Sequence, residues 1–136
     1  MPPAIKILII DDEDIMRSCL CDVLTDDGYS VQTAREGQEG LRLFDENLSD
    51  IVILDIKMPG LSGVEVLKIL KSKKNSVQVI MITGYAAVQT AVDCMKLGAF
   101  DYLTKPFDMN QIREVIRQIR EKHLPGDASL QTTPQK

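Results

Sequence analysis

The sequence predicts an α/β fold in which five parallel strands form one sheet that is covered by helices on both faces. Two observations support this fold class. Short apolar runs alternate with segments of helical periodicity through residue 123, and the connections between them are short. Each step from strand to helix to parallel strand requires a right-handed crossover, and repeating this unit places helices on both faces of the sheet.

The strands are predicted from apolar or alternating runs. The isoleucine-rich run AIKILII and the run DIVILD are almost unbroken by polar residues, which is typical of strands that are covered on both faces. The run YSVQTA instead alternates between apolar and polar residues. The five predicted strands cover residues 4–10, 29–34, 50–55, 77–83 and 100–103.

The helices are predicted from apolar residues that recur three or four positions apart. Gly28 and Gly98 are expected to end the first and fourth helices. Asp108 and Gln111 form a capping-box-like pair at the start of the fifth. The expected apolar stripes are Ile15, Met16, Cys19, Leu20, Val23 and Leu24; Leu41, Phe44 and Leu48; Val64, Leu67 and Leu70; Val88, Ala91, Val92 and Met95; and Ile112, Val115, Ile116 and Ile119.

Composition argues against a nucleic-acid-binding or membrane protein. The 136 residues carry 16 basic and 20 acidic side chains, for a formal net charge of −4, whereas contacts to a phosphate backbone require clustered lysine and arginine. No apolar run approaches the ~20 residues of a membrane span, and the first residues lead directly into a strand without a signal peptide. We therefore expect a cytoplasmic domain with no membrane and no direct nucleic acid contact.

The three cysteines are predicted to be structural. Cys19, Cys21 and Cys94 are odd in number and scattered, and no C-x-x-C motif is present. We expect reduced thiols that act as small buried apolar side chains, as in cytosolic proteins.

The chain changes character near its end. Residues 1–123 are expected to form one domain, because helical and strand patterns continue to that point. The last residues are polar and include two prolines, so they contain nothing to bury. We therefore predict that residues 124–136 are a flexible tail or a linker stub.

Four strand ends carry a chemically coherent set of polar residues. Asp11 and Asp12 follow the first strand, Asp55 ends the third, Thr83 ends the fourth, and Lys105 lies just beyond the fifth. In an open α/β sheet, ligands bind in the crevice beyond the carboxyl ends of the strands. Each residue alone could be an ordinary solvated loop residue, but the set together predicts a functional site.

The residue types in this set suggest magnesium and phosphoryl chemistry. Adjacent carboxylates repel each other, so a divalent cation and the ammonium group of Lys105 would balance Asp11 and Asp12. A carboxylate is also a nucleophile toward phosphorus, which makes Asp55 a candidate for forming an aspartyl phosphate. Thr83 and Lys105 are suitable hydrogen-bond donors to the oxygens of the phosphoryl group.

The ordered motifs resemble the receiver domain of bacterial two-component response regulators. The resemblance is carried by LIIDDE (8–13), DIVILDIKMPGLSG (50–63), VIMITGY (79–85) and GAFDYLTKPF (98–107), and it extends from about residue 5 to residue 120. It implies a flavodoxin-like (CheY-like), doubly wound fold with strand order 2-1-3-4-5. The stretch TGYAAVQTAVDCMKLGAFDYLTKPF is most similar to the receivers of NtrC-type activators, in which an ATPase domain and a DNA-binding domain follow.

The resemblance assigns the phosphoacceptor and the metal ligands. It implies that Asp55 accepts a phosphoryl group from a sensor histidine kinase. It also implies that Mg²⁺ is bound by Asp11, Asp12, Asp55 and the backbone carbonyl of Lys57. The domain would assist its own phosphorylation and dephosphorylation without being a turnover enzyme.

The resemblance also implies a switch and its partners. Thr83 and Tyr102 correspond to the switch hydroxyl and the switch aromatic, and Lys105 would be held by a cis peptide bond to Pro106. The output surface would comprise the fourth helix, the fifth strand and the fifth helix, a surface that is also compatible with a homodimer. The implied partners are the kinase and an output domain or downstream effector protein, through which the domain would control transcription.

Other functions fit the residues less well. A flavodoxin-like nucleotide binder needs an anion-binding loop where this chain has carboxylates, a haloacid-dehalogenase-type phosphatase needs D-x-D where Lys57 stands, and no P-loop is present. A receiver-like interaction module that works without phosphorylation stays open as the alternative, although the complete set of site residues argues against it. We interpret His123 as a solvated residue of the last helix and not as a phosphate relay.

Overall fold

The computed structural model describes residues 4–84 and 88–124, apart from the side chains at positions 88 and 91. The predicted tail beyond residue 124 and the predicted apolar contacts of Val88 and Ala91 lie outside these described residues. No helix in the described ranges combines the length and apolarity needed to cross a bilayer. The elements in chain order are β1 Lys6–Ile10, α1 Asp14–Asp26, β2 Ser30–Ala34, α2 Gly37–Asn47, β3 Ile51–Asp55, α3 Gly63–Lys73, β4 Gln78–Thr83, α4 Val88–Lys96, β5 Asp101–Thr104 and α5 Met109–His123.

The strands form one parallel sheet in the order β2-β1-β3-β4-β5. Every residue of β3 and β4 is buried, and for β3 this agrees with the almost unbroken apolar run that predicted the strand. Ile7 pairs with Val31 of β2 on one side and with Ile51 of β3 on the other. The predicted fold class and strand order are therefore confirmed.

The core lies on both faces of the sheet, because successive strand residues point in opposite directions. Leu8 and Ile10 belong to a cluster that is covered mainly by α2 and α3, with Phe44 fully buried in it. Ile7 and Ile9 belong to a second cluster, which is covered by α1 and α5. Burying one such side chain contributes roughly 1.5–3 kcal/mol to stability, so the two clusters hold the five strand ends in a fixed arrangement.

Two helices begin with reciprocal side-chain caps. The Ser62 hydroxyl accepts a hydrogen bond from the backbone N–H of Glu65, whose carboxylate accepts one from the backbone N–H of Ser62. Asp108 and Gln111 form the same arrangement at α5, as the sequence predicts. Each cap satisfies two backbone donors at a helix start, and together they fix where α3 and α5 begin.

The helix ends agree with the predictions at two glycines and differ at one leucine. Gly28 and Gly98 follow α1 and α4 with φ angles of 101° and 103°, a conformation that glycine adopts readily. Leu48, predicted on the apolar stripe of the second helix, lies just beyond α2 with a φ angle of 49° and is 52% exposed. The prediction for Leu48 is wrong, because α2 ends one residue earlier in a left-handed turn.

The apolar stripe predicted for α1 is too wide. Leu20 and Leu24 are fully buried, but Ile15 is 80% exposed and Cys19 is exposed. Ile15 lies in the first turn of α1, beyond the end of β1, where the sheet offers it no surface to pack against. The prediction that Cys19 is buried is wrong, because its side chain is exposed, and Cys21 is half-buried.

The stripe predicted for α4 is displaced around the helix. Val92 and Met95 are 39% and 43% exposed, whereas Cys94 is fully buried and Leu97 packs against the same cluster. Apolar residues occur at five of the nine positions of α4, so their spacing alone did not identify which of them contact the sheet. The prediction of a buried thiol is confirmed for Cys94.

Candidate metal site at the carboxyl edge of the sheet

Neighbouring strands deliver the predicted polar residues to one edge of the sheet. Asp11 follows β1, and its backbone N–H donates to the carbonyl of Ala34 at the end of β2. Asp55 is the last residue of β3 and pairs with Ile82 of β4, so Thr83 comes one residue later on the adjacent strand. The register of the parallel strands therefore places these side chains at the same end of the sheet.

Three carboxylates converge at this edge. One oxygen from each of Asp11, Asp12 and Asp55 lies within 4.8 Å of the others. Asp11 and Asp55 are only 1% and 4% exposed, while Asp12 is exposed. The buried Oδ2 atom of Asp11 accepts no hydrogen bond, and its charged neighbour is the ammonium group of Lys105. Oxygen ligands of this kind, with one buried acceptor unsatisfied, fit Mg²⁺.

Lys105 brings the positive charge that faces these carboxylates. Its Nζ atom lies 3.2 Å from Asp11 Oδ2, in a direction that leaves this oxygen without a hydrogen bond, and 3.5 Å from Asp55 Oδ2. The ammonium group also donates a hydrogen bond to Glu13 Oε1. Burial opposes the charged form, but the hydrogen bond to Glu13 and the charges of Asp11 and Asp55 outweigh it and raise the pKa of Lys105 above its usual value.

Asp55 is the carboxylate whose protonation is most affected by its surroundings. Burial, followed by repulsion from Asp11, raises the pKa of Asp55 from 3.8 to about 7. The charge of Lys105 and the backbone N–H of Lys57, which lies 3.3 Å from Asp55 Oδ1, act in the opposite direction. In the absence of a cation, this carboxylate therefore changes its charge near neutral pH.

The segment after β3 is fixed at both ends. The backbone N–H of Ile56 donates to the carbonyl of Ile82, and the backbone N–H of Gly63 donates to the carbonyl of Ile56, each at 2.8 Å. A Cβ atom at position 63 would lie 2.3 Å from the carbonyl oxygen of Asp55. Only glycine allows α3 to begin so close to the end of β3, and the backbone of Asp55 is held in place as a result.

The remaining predicted residues lie around this centre. Thr83 is buried, and its carbonyl accepts a hydrogen bond of 2.7 Å from the backbone N–H of Lys105. The peptide bond between Lys105 and Pro106 is cis, as the resemblance implies. Tyr102 is 36% exposed on β5, opposite Met81 of β4. The backbone of β5 thus connects the tyrosine to the lysine of the site.

Sequence reasoning missed two further charged residues of the site. Glu13 contacts Lys105 directly, and the guanidinium of Arg17 donates to the backbone carbonyl of Asp11 at 2.9 Å. The run of four acidic residues after β1 was the available signal for Glu13, but we assigned a role only to the first two. Arg17 gave no signal beyond its position in the first helix.

A groove beside Asp12 was also not predicted. It has a volume of about 850 Å³ and is lined by side chains of both charges, including Arg35 and Arg42, and by the turn at Gly60. Asp12, the exposed carboxylate of the site, is one of the residues that line this groove.

The arrangement combines a nucleophile, oxygen ligands and a fixed cation. The carboxylate of Asp55 can attack an electrophile, and the neighbouring carboxylates can bind a hard cation. Lys105 can donate hydrogen bonds to an anion that arrives at Asp55. These capacities suit the transfer of a phosphoryl group to a carboxylate.

Comparisons with known proteins lead in the same direction. Residues 7–117 match the family model of the response regulator receiver domain. Regulatory protein AtoC of Escherichia coli (strain K12) is 38% identical over 113 residues, which are 83% of this chain and 24% of AtoC. Sporulation initiation phosphotransferase F of Bacillus subtilis (strain 168) is 35% identical over 120 residues, which are 88% of this chain and 94% of that protein. A crystal structure of NtrX from Brucella abortus aligns with a TM-score of 0.84 and 30% identity over 93% of this chain and 30% of that one.

Proposed function

Because the chain belongs to the response regulator receiver domain family, we propose that it accepts a phosphoryl group from a sensor histidine kinase on Asp55. The family resemblance is confirmed, and NtrC-type regulators are among the relatives. Receiver domains are phosphoacceptor switches and not turnover enzymes. The observation that supports the proposal most strongly is the position of the Asp55 carboxylate between two further carboxylates and an ammonium group.

We assign a magnesium ion to Asp11, Asp12 and Asp55, together with the backbone carbonyl of Lys57. The assignment is supported by oxygen ligands that lie within 4.8 Å of one another and by the unsatisfied buried Oδ2 of Asp11. When bound, Mg²⁺ supplies positive charge that offsets the repulsion among the carboxylates and attracts the oxygens of a phosphoryl group.

The chemical step requires Asp55 in its ionised form. One carboxylate oxygen attacks the phosphorus of a phosphohistidine on the kinase and forms a P–O bond while the P–N bond breaks. The electron pair of the broken bond stays on the imidazole nitrogen, which takes up a proton, and the product on this chain is an aspartyl phosphate. Lys105, 3.5 Å from Asp55 Oδ2, favours the ionised carboxylate before the step and donates to the phosphoryl oxygens after it.

Thr83 and Tyr102 are proposed to report the phosphoryl group to the output surface. Phosphorylation adds about −1.5 to −2 charges and three acceptor oxygens beside Thr83. Movement of its hydroxyl toward these oxygens would leave space that the half-exposed Tyr102 fills, which changes the surface of α4, β5 and α5. A coupling of about 1–3 kcal/mol, typical of such switches, shifts a two-state equilibrium about 5- to 150-fold.

Replacement of Thr83 tests this link. Thr83→Ala should still accept a phosphoryl group on Asp55. The change in the NMR chemical shifts of residues 88–104 on phosphorylation should, however, be smaller than in the wild type. A variant that shows the full wild-type response would remove Thr83 from the switch.

The proposal extends to the partners of the domain. A cytoplasmic receiver would act on an output domain or a separate effector, and α4, β5 and α5 would form the surface for that partner or for a homodimer. The chain spans 24% of AtoC, whose name describes a regulatory protein, and 94% of the Bacillus subtilis phosphotransferase; we propose that control of transcription passes through such an output domain or effector.

Phosphorylation by a small phosphodonor tests the central proposal. An acyl phosphate with Mg²⁺ should add one phosphoryl group to the wild type, detected by mass spectrometry, and Asp55→Asn should prevent the addition. The same adduct on Asp55→Asn would place the acceptor elsewhere. A wild-type protein that takes up no phosphoryl group would favour the alternative, an interaction module that works without phosphorylation.

A further inference from the structure

The ammonium group of Lys105 contacts three carboxylates, one more than the proposed phosphoryl transfer requires. Besides Asp11 and Asp55, it donates a hydrogen bond to Glu13, which lies at the solvent side of the site. The Lys105 side chain is only 16% exposed, whereas the Glu13 side chain is 59% exposed. Glu13 therefore holds the ammonium group from outside, while the two buried carboxylates face it from inside.

The backbone around Glu13 is fixed, and its side chain is not used to cap the helix. Glu13 occupies the position before α1 with extended φ and ψ angles, and its side chain makes no capping hydrogen bond. Its backbone N–H donates to Asp11 Oδ1 at 2.8 Å, and its carbonyl accepts from the backbone N–H of Arg17 at 3.0 Å. The residue is thus anchored to the metal-site aspartate itself, with its carboxylate directed to Lys105.

We propose that Glu13 is a positioning residue that holds Lys105 before phosphorylation and competes with the phosphoryl group for it. This inference rests on the proposed function, because it requires that an anion bind at Asp55. A cation held by Asp11 and Asp55 would offset part of the attraction of these carboxylates for Lys105, which would leave Glu13 as its main anionic partner. The ammonium group must leave Glu13, at least in part, before it can donate fully to phosphoryl oxygens.

If Glu13 competes with the phosphoryl group for Lys105, removing its carboxylate should have the opposite effect on binding from removing a residue that only supports the fold. Removing the Glu13 carboxylate should strengthen binding of a phosphoryl group, since Lys105 no longer has to give up a partner. It should leave Mg²⁺ affinity unchanged or slightly lower, because one nearby negative charge is lost. Damage to the local fold would weaken the binding of both.

Fluoroberyllate, a mimic of the phosphoryl group, is the probe for the test. With saturating Mg²⁺, Glu13→Gln should bind fluoroberyllate about two- to fivefold more tightly than the wild type, which is the range expected for a partly exposed ion pair. Asp14→Asn is the matched control, because it removes the same charge one residue further on, where the carboxylate pairs with Arg17 and not with Lys105. An unchanged or weaker affinity in Glu13→Gln would overturn the proposal.

A double-mutant cycle establishes whether the effect passes through Lys105. In a Lys105→Ala background, Glu13→Gln should no longer raise the affinity for fluoroberyllate. An equal rise in that background would mean that the Glu13 carboxylate acts only through its charge and not through Lys105. Without metal or mimic, the ¹⁵Nζ resonance of Lys105 should move in Glu13→Gln and not in Asp14→Asn; an unmoved resonance would refute the contact. If the wild type fails to bind fluoroberyllate, the proposed function fails as well, whereas binding that is identical in the wild type and Glu13→Gln refutes this inference alone.

Discussion

The two edges of the sheet differ in how their charged side chains are partnered. At the amino edge, Lys71 donates to the carbonyls of Asn75 and Val77 at 2.8 Å each. Lys74 donates to the carbonyls of Leu48 and Ser49 at 3.0 and 3.2 Å. At the carboxyl edge, by contrast, the carboxylates that meet outnumber the lysine beside them.

This difference separates lysine charges that stabilise the fold from carboxylate charges that serve the proposed function. At the amino edge, lysine side chains satisfy carbonyls at turns and near a helix end, where backbone acceptors would otherwise lack partners. At the carboxyl edge, burial and repulsion from Asp11 disfavour the ionised form of Asp55, and the Oδ2 atom of Asp11 accepts no hydrogen bond. The comparison predicts that changes at the amino edge lower stability alone, and that changes at the carboxyl edge alter ligand binding and the pH dependence of stability.

The largest expected effect is a pH dependence that arises from Asp55. Its pKa is about 7 in the folded protein against an ordinary value of 3.8, so between these values the folded state binds the proton that the unfolded state has lost. Stability without metal should therefore fall as pH rises through this window. From pH 5 to pH 8 Asp55 should lower the free energy of unfolding by about 3 kcal/mol. About two pH units of this range lie below the folded pKa, and each corresponds to about 1.36 kcal/mol.

Urea unfolding of the wild type and Asp55→Asn measures this contribution. The free energy of unfolding of the wild type should fall more steeply from pH 5 to pH 8 than that of Asp55→Asn, and Mg²⁺ should reduce the difference by binding the ionised carboxylate. Parallel curves for the two proteins would show that Asp55 has an ordinary pKa.

A change at the amino edge should affect stability without affecting the site. Lys71→Met keeps an apolar chain against Gly98 but removes the donor to two backbone carbonyls. We expect a loss of about 1.5–2 kcal/mol in the free energy of unfolding and no change in Mg²⁺ affinity. The matched control is Lys68→Met on the exposed side of the same helix, which should stay within about 0.5 kcal/mol of the wild type; equal losses in both variants would contradict the assigned role of Lys71.

Asp12→Ala should have the reverse effect, because it should weaken Mg²⁺ binding without lowering stability. Mg²⁺ affinity should fall at least about tenfold, or about 1.4 kcal/mol, and phosphorylation should slow. The metal-free protein should stay folded and be equally or more stable, since repulsion with Asp11 and Asp55 is relieved. Calorimetric titration with Mg²⁺ checks the first effect, and Asp22→Ala, an exposed acidic position of α1, controls for net charge. An affinity equal to that of the wild type would exclude Asp12 from the ligand set.

The smallest expected effect concerns the proposed boundary of the domain, which we set at residues 1–123 with 124–136 as a tail or linker. Leu124 still packs against the cluster beneath α1 and α5, and the composition after it offers little to bury. A chain that ends at Leu124 should therefore melt within about one or two degrees of the full chain. A larger decrease in Tm would mean that residues after Leu124 contribute to the fold.

The sequence predicted the edges of the sheet better than the orientation of its helices. Strand runs ending in Asp55 and Thr83 specified both the parallel sheet and the place where the polar residues meet, because a strand has only two faces. A helix rich in apolar residues can turn several sides to the sheet, and this is why Met95 was wrongly assigned to the core, whereas Ile15 was wrongly assigned because it lies beyond the end of β1. The contact between Glu13 and Lys105 joins residues 92 positions apart, and no local pattern reveals such a pair.

The hydrogen bonds at Ile56 and Gly63 close the loop after β3 at its base. The backbone of Asp55 is held by β4 and by the start of α3, and the Met58 side chain of the loop packs into the core cluster. Lys57 and Pro59 are exposed within this loop. Substitutions of these two exposed side chains should therefore leave the backbone of Asp55 in place, so evolution and protein engineering can vary the surface beside the site without moving its central carboxylate.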